Sequence, residues 1–171
     1  MVIGFIWLTL VGYAQEFTLL SSSFESGEQI PTIHTCNGAD QSPALSWKHA
    51  PENTKSFVLI IDDPDAPDPK APKMTWVHWV LYNIPADVSS LPEGTKKLPK
   101  GTQEGYNDWK QTGYKGPCPP IGRHRYMHKI YALDTLLSLT KRATKAEVEN
   151  QMKGHILSHV TLMGTYPSQK K

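Results

Sequence analysis

Hydrophobic residues fall in short runs along this chain, a pattern typical of a protein made mainly of strands. The clearest run, Phe57–Ile61, is continuous and rich in β-branched residues, so it predicts a strand buried on both faces. The next stretch, residues 62–75, contains four prolines. Each proline lacks an N–H and fixes φ, so we expect an ordered loop there instead of a helix or a central strand.

Two later segments alternate between faces as strands do. Residues 76–84 place His78, Val80 and Tyr82 on one face of a predicted strand. Residues 124–133 place four large side chains on one face, namely His124, Tyr126, His128 and Ile130. Between these strands, residues 91–116 are rich in Gly, Lys, Asn and Thr, and predict a long irregular segment of the kind that is usually functional.

One helix is predicted near the carboxyl end. Thr144 and Glu147 have the spacing of a capping box, in which each side chain bonds to the other residue's backbone N–H. Residues about one turn apart would form its packed face: Val148, Met152, Ile156 and His159. Residues 160–166 then predict a last strand. Strands outnumber helices, so we expect a mainly β fold, a β-sandwich with one or two peripheral helices.

Composition and charge narrow the class of protein. The chain has 171 residues, which suits a single domain, and 39% hydrophobic with 20% charged residues argues against disorder and against a coiled coil. The formal net charge is only +2. Nucleic-acid binders usually carry a strong basic excess, so we expect no nucleic acid as a partner.

The first fourteen residues form an uncharged, mostly apolar segment. It is shorter than the roughly 20 apolar residues that span a bilayer, so we expect no stable membrane insertion. Small residues at Gly12 and Ala14 predict a signal peptide, residues 1–14, cut after Ala14, with one domain over residues 15–171. The protein would then be periplasmic or secreted. If the segment is a first strand or follows a misassigned start, the protein is instead expected in the cytoplasm.

The chain contains two cysteines, Cys36 and Cys118. In an exported protein this even count predicts a disulfide. Because the enclosed loop is long, the lost chain entropy would raise the free energy of the unfolded state by about 4–5 kcal/mol. The alternative is a pair of free, buried thiols.

Three segments concentrate the unusual polar residues: residues 62–67 (DDPDAP), residues 76–79 (WVHW) and residues 116–126 (GPCPPIGRHRY). A carboxylate on a proline-rich loop can accept an imidazole N–H and so fix the ring's tautomer. Two histidines and a tyrosine would then converge as donors for a phosphate or carboxylate, and backbone N–H groups of the Gly-Pro segment could join them. Each element alone has an ordinary explanation, as a turn or a packed core residue.

The same segments resemble the signature of the phosphatidylethanolamine-binding protein family, specifically its bacterial and archaeal Raf kinase inhibitor-like branch. The runs TCNG at residues 35–38 and SPALSW at residues 42–47 are also similar to that branch, and the resemblance extends from about Phe17 to Tyr166. It implies a Greek-key β-sandwich of two antiparallel sheets. It also implies a pocket for phosphate-like anions and the phosphoethanolamine headgroup. A homodimer is compatible with the resemblance, although the sequence indicates no interface.

By motif matching, the resemblance implies seven pocket residues. They are Asp63, Asp65, His78, Pro119, Pro120, His124 and Tyr126.

We therefore expect a non-catalytic binding protein for a small anionic ligand or phospholipid headgroup, with a regulatory role toward a kinase or protease as the resemblance suggests. The alternative is a hydrolase or phosphoryl-transfer enzyme that uses Asp63, His78 and His124 as an acid–base set. Cys118 beside His124 could suggest a thiol nucleophile, but the flanking prolines and a disulfide argue against it.

A metal site is a weaker hypothesis. The spacing of Asp63, Asp65 and Asp68 superficially resembles a calcium loop but lacks its glycine, and an aspartate with two histidines could bind zinc or iron. No dense ligand spacing supports either, so we expect neither a metal nor a cofactor.

Overall fold

The computed structural model describes residues 15–139 and 142–169, in which two antiparallel sheets form the scaffold. The smaller sheet has the order β1-β2-β5, with strands Thr18–Ser21, Leu45–Lys48 and Ser90–Leu91. The larger sheet has the order β6-β4-β3-β7-β8, with strands Gln103–Glu104, Met74–Pro85, Ser56–Ala66, Arg123–Leu133 and Ile156–Pro167. A 3-10 turn, Thr32–His34, and one helix, α1 at Lys145–Met152, complete the described elements.

Hydrophobic side chains cover both faces of the larger sheet, as the apolar run in β3 predicts. Between the two sheets lies a core that includes Trp47, Phe57, Leu59, Ile61 and Tyr126. On the opposite face a second core joins β3 to helix α1, through residues that include Val58, Ile60, Val80, Val148 and Met152. These two cores confirm the mainly β sandwich with a peripheral helix.

The predicted loop over residues 62–75 is wrong at both ends. β3 continues to Ala66 and β4 already begins at Met74, so the connection is only residues 67–73. Pro64 is tolerated because the β3–β4 ladder is irregular between the Asp63–Trp76 pair and the Ala66–Met74 pair. A bulged stretch leaves a residue without a ladder hydrogen bond, which is where a strand can accept proline.

Helix α1 has the predicted capping box, with Thr144 and Glu147 each accepting from the other's backbone N–H. The prediction that Ile156 and His159 extend its packed face is wrong. The helix ends at Met152, Gly154 has a φ of +82°, and β8 begins at Ile156. Glycine favours such a left-handed φ and commonly follows a helix end.

The Cys36–Cys118 disulfide is present, with the two Cα atoms 5.5 Å apart, which confirms the predicted bridge. It joins the segment after the 3-10 turn to the segment before β7. The predicted signal peptide lies outside the described residues. Among the helices of the described chain, none is long and apolar enough to cross a membrane.

Candidate functional site

A cavity of about 290 Å³ opens where β3, β4 and β7 approach the proline-rich segments. Its walls consist mostly of rings and proline side chains, with a few polar groups: Asp63, Ala66, Pro67, Trp76, His78, Trp109, Cys118, Pro119, Pro120, His124 and Tyr126. The structure therefore brings together every predicted pocket residue except Asp65. Whether these residues bind a ligand remains a prediction.

A β-bulge directs His78 toward this cavity. Ile61 pairs with Trp79 and Asp62 pairs with Val77, so His78 is an extra residue on β4. The predicted alternation is consequently wrong here: Val77 packs in the second core with Val80 and Tyr82, whereas the His78 ring contacts Tyr126 of the first core. Bulges beside functional sites commonly redirect a side chain in this way.

The His78 ring is held by one backbone carbonyl. Its Nδ1 lies 2.5 Å from the Lys115 oxygen, and because a carbonyl can only accept, the hydrogen is on Nδ1. Burial lowers the pKa of His78, although the Lys115 hydrogen bond and the nearby Asp63 carboxylate act in the opposite direction. The favoured form is thus a neutral ring whose Nε2 carries a lone pair.

Tyr126 lies edge-on to His78, with the ring centroids 5.2 Å apart. Its hydroxyl is buried and has no hydrogen-bond partner within the described residues. Burial, reinforced by the charge of Asp63, raises the pKa of Tyr126, so the phenol keeps its proton and can donate it in a hydrogen bond.

Asp63 orients His124 and not His78. His124 Nδ1 lies 2.7 Å from Asp63 Oδ2, and its Nε2 lies 3.0 Å from the Ile121 oxygen. The second Asp63 oxygen accepts from the Asp65 N–H at 2.8 Å. Both partners of the His124 ring are acceptors, and each of them lies within hydrogen-bond distance of one ring nitrogen. His124 therefore contributes a wall to the cavity, while both of its nitrogens already have partners inside the protein.

Asp65 has a different environment from the other predicted residues. Its oxygens accept from Arg125 Nε at 2.9 Å, from Nη2 at 2.7 Å and from the Arg125 N–H at 2.9 Å. Hydrogen bonds from Arg125 lower the pKa of Asp65, against the effect of burial. Asp65 thus joins β3 to β7 and does not line the cavity.

The segment Gly116–Pro120 has few donors to offer. The Gly116 N–H donates to Asp40 Oδ1 at 2.7 Å, and the three prolines have no N–H, so only the Cys118 N–H could serve a ligand. Gly116 itself is required for space, since a Cβ there would lie 2.1 Å from the His34 oxygen. The expected group of backbone donors is therefore reduced to one.

Sequence reasoning missed Trp109. Its ring contacts Trp76 and His78, with centroid distances of 5.4 and 5.2 Å. Its loop is held on β4 because Asp108 Oδ2 accepts from the Val77 N–H at 2.8 Å. The sequence signal for Trp109 is that one large aromatic residue stands within a polar, irregular segment. The neighbouring residues in the sequence do not indicate that its ring reaches His78.

The geometry bears on the alternative chemistries as well. Cys118 is disulfide-bonded, so it provides no thiolate. Asp68 accepts the Lys70 N–H in a turn and does not line the cavity. In the described part of the chain, no group of three or more His, Cys, Asp or Glu side chains is arranged to hold a metal ion.

Comparison with known proteins gives consistent matches. A family model described as "Phosphatidylethanolamine-binding protein" matches residues 20–167. A UPF0098 protein of Methanothermobacter thermautotrophicus is 45% identical over 151 residues, which cover 86% of this chain and 97% of that protein.

Solved structures show the same similarity. The phosphatidylethanolamine-binding protein homologue CT736 of Chlamydia trachomatis matches with a TM-score of 0.82 and 39% identity, covering 90% of this chain and 98% of that one. Escherichia coli YbcL, described as a member of the mammalian PEBP family, matches with a TM-score of 0.82 and 34% identity, covering 91% and 100%.

Proposed function

The chain belongs to the phosphatidylethanolamine-binding protein family, and we propose that it binds a small phosphate-like anion in the cavity beside His78 and Tyr126. The ligand would be free phosphate or the phosphate of a phosphoethanolamine headgroup. Both present the same tetrahedral oxyanion, and the experiment below distinguishes them.

One observation supports this proposal above all. Two side chains that line the cavity keep an unused polar group within the described part of the chain: the buried Tyr126 hydroxyl has no hydrogen-bond partner, and His78 bonds through Nδ1, which leaves Nε2. A buried polar group without a hydrogen-bond partner costs free energy, so a ligand that forms hydrogen bonds with both groups would remove that cost. An oxyanion can accept from the Tyr126 hydroxyl, while Nε2 can accept from a protonated phosphate oxygen or donate once the ring is protonated.

The cavity walls suit a small headgroup. A volume of about 290 Å³ is near the lower end of ligand sites. Trp76 and Trp109 meet edge to face, so their rings present both edges and faces at the wall. A primary ammonium can rest against the face of an indole, which offers a place for the amine of phosphoethanolamine.

Binding is favoured over turnover by the state of His124. An acid–base pair needs two groups that can exchange protons with the substrate, but both His124 nitrogens bond to Asp63 and Ile121, which leaves His78 Nε2 without a second ring nitrogen beside it. With Cys118 in the disulfide, the cavity also lacks a thiol nucleophile.

Calorimetry on the purified protein tests the proposal, with phosphate, phosphoethanolamine and vesicles containing phosphatidylethanolamine as three separate ligands. We expect His78→Ala to abolish binding and Tyr126→Phe to weaken it by about tenfold or more, because a hydrogen bond to a charged group contributes about 1.5–3 kcal/mol. His159→Ala, on the surface of β8, is the matched control and should bind as wild type does.

Equal affinity in wild type and His78→Ala would refute the assigned cavity. Turnover of a phosphoester panel that is lost in His124→Ala would instead support the enzymatic alternative.

A further inference from the structure

The hydrogen bond to the His78 ring comes from a single peptide group. The carbonyl of the Lys115–Gly116 peptide accepts from His78 Nδ1, and the N–H of the same peptide donates to Asp40 Oδ1 at 2.7 Å. Asp40, this peptide and the imidazole therefore form one continuous chain of hydrogen bonds.

The direction of this chain has a chemical consequence. A carboxylate that accepts from a peptide N–H polarises the peptide and makes its carbonyl a stronger acceptor. The stronger acceptor favours a hydrogen on His78 Nδ1, which leaves the Nε2 lone pair facing the cavity. The arrangement resembles the way in which outer partners fix the tautomer of metal-bound histidines.

Other contacts hold the neighbouring backbone but do not reach the N–H of this peptide. The Lys115 N–H donates to the His78 oxygen at 3.2 Å, and the Cys36 N–H donates to the Pro117 oxygen at 3.1 Å. Asp40 also pairs with Lys115 Nζ at 3.1 Å, although that lysine side chain is 41% exposed, so solvent weakens the pair.

We propose that Asp40, which does not line the cavity, is a positioning residue that holds His78 in the Nδ1–H tautomer through the Lys115–Gly116 peptide. The importance of this tautomer for binding rests on the proposed function, but the tautomer itself can be measured without a ligand.

Long-range proton–nitrogen NMR of the histidine rings in the ligand-free protein tests this directly, with the His78 signals assigned from His78→Ala. Wild type should show the Nδ1–H tautomer of His78. Asp40→Gly removes the carboxylate and suits the φ of +54° at this position. Without Asp40 the Lys115–Gly116 peptide is free to turn its carbonyl away from Nδ1, so we expect His78 to shift toward the Nε2–H tautomer that free imidazole side chains prefer.

Three further variants make the result specific. Asp40→Asn keeps an acceptor for the Gly116 N–H, so it should retain the tautomer but move the Nδ1 proton resonance upfield, because a neutral amide polarises the peptide less. Lys115→Met removes only the exposed ion pair, and Asp68→Ala removes a different carboxylate that accepts a backbone N–H. Both of these should leave the His78 signals as in wild type.

An unchanged tautomer in folded Asp40→Gly would overturn the proposal. If that variant does not fold, an unchanged Nδ1 proton shift in Asp40→Asn would overturn it as well. Phosphate binding is measured separately, and a wild type that binds no phosphate would refute the proposed function and leave the tautomer result standing.

Discussion

Asp63 Oδ2 lies 2.7 Å from His124 Nδ1, and both side chains are almost completely buried. A second aspartate–histidine pair, Asp134 and His155, has nearly the same separation of 2.8 Å but is 43% and 47% exposed. The two pairs have the same chemistry and differ in burial. Removing one partner of a buried pair leaves the other without compensation, whereas water replaces a lost partner at the surface.

We therefore predict that Asp63→Ala lowers the free energy of unfolding by about 3–5 kcal/mol. Asp134→Ala should lower it by less than about 1 kcal/mol. Urea denaturation at neutral pH measures both. Similar losses in the two variants would show that the buried pair does not hold β3 and β7 together as the geometry indicates.

The disulfide gives a second prediction. Cys36 and Cys118 are separated by 82 positions, and closing a loop of this length destabilises the unfolded chain by about 4.5 kcal/mol in the entropy model. We expect the Cys36→Ala/Cys118→Ala double variant to lose roughly that much unfolding free energy in urea. Reductant should lower the stability of wild type and leave the double variant unchanged, and a wild type indifferent to reductant would contradict the prediction.

The regular parts of the fold were predictable because local pattern determines them. In β7 the side chains of His124, Tyr126, His128 and Ile130 are buried while their neighbours are more exposed, as strict alternation requires. The capping box before α1 was also read correctly, since both of its members lie within one turn.

The irregular parts were not predictable from local pattern. The face of His78 was misassigned because the bulge on β4 depends on how β3 pairs with it, and one extra residue reverses the alternation. Pairing with β4 likewise extends β3 through Pro64, where the proline count had predicted a loop.

The contacts that complete the site join distant positions. His78 reaches Lys115 over 37 positions, and Asp40 reaches Gly116 over 76. No spacing rule relates such residues, since the fold alone brings them together. The family resemblance supplied the pocket residues, but it gave no indication that Asp63 bonds to His124 instead of His78.

His128 leads to a third prediction, about stability in acid. The ring is buried against Phe24, and burial lowers the pKa of His128 to about 4. Above pH 6.5 the ring is neutral in both the folded and the unfolded protein, so it has no effect. Between pH 6.5 and about 4 only the unfolded chain takes up the proton, so stability should fall as pH falls, by about 3 kcal/mol in total.

His128→Phe removes this titration while keeping a ring in the core. We expect its unfolding free energy in urea to decrease less steeply between pH 7 and pH 4 than that of wild type, whatever the difference at pH 7. His78, whose pKa is also lowered by burial, contributes in the same direction. A slope that His128→Phe leaves unchanged would mean that this histidine does not oppose protonation in the folded protein.

The last prediction concerns the pH dependence of anion binding and uses sulfate, which carries no proton in the relevant range. To donate from Nε2 to sulfate, the neutral His78 ring must take up one proton, so affinity should rise by up to tenfold for each unit of decreasing pH. Because burial lowers the pKa of His78, the rise should continue below pH 6.5.

Phosphate can bring its own proton to Nε2, so it should bind more tightly than sulfate at pH 7.5. Calorimetry from pH 8 to 5.5 measures both ligands, and sulfate affinity that is flat over this range would exclude a protonated His78 as the donor.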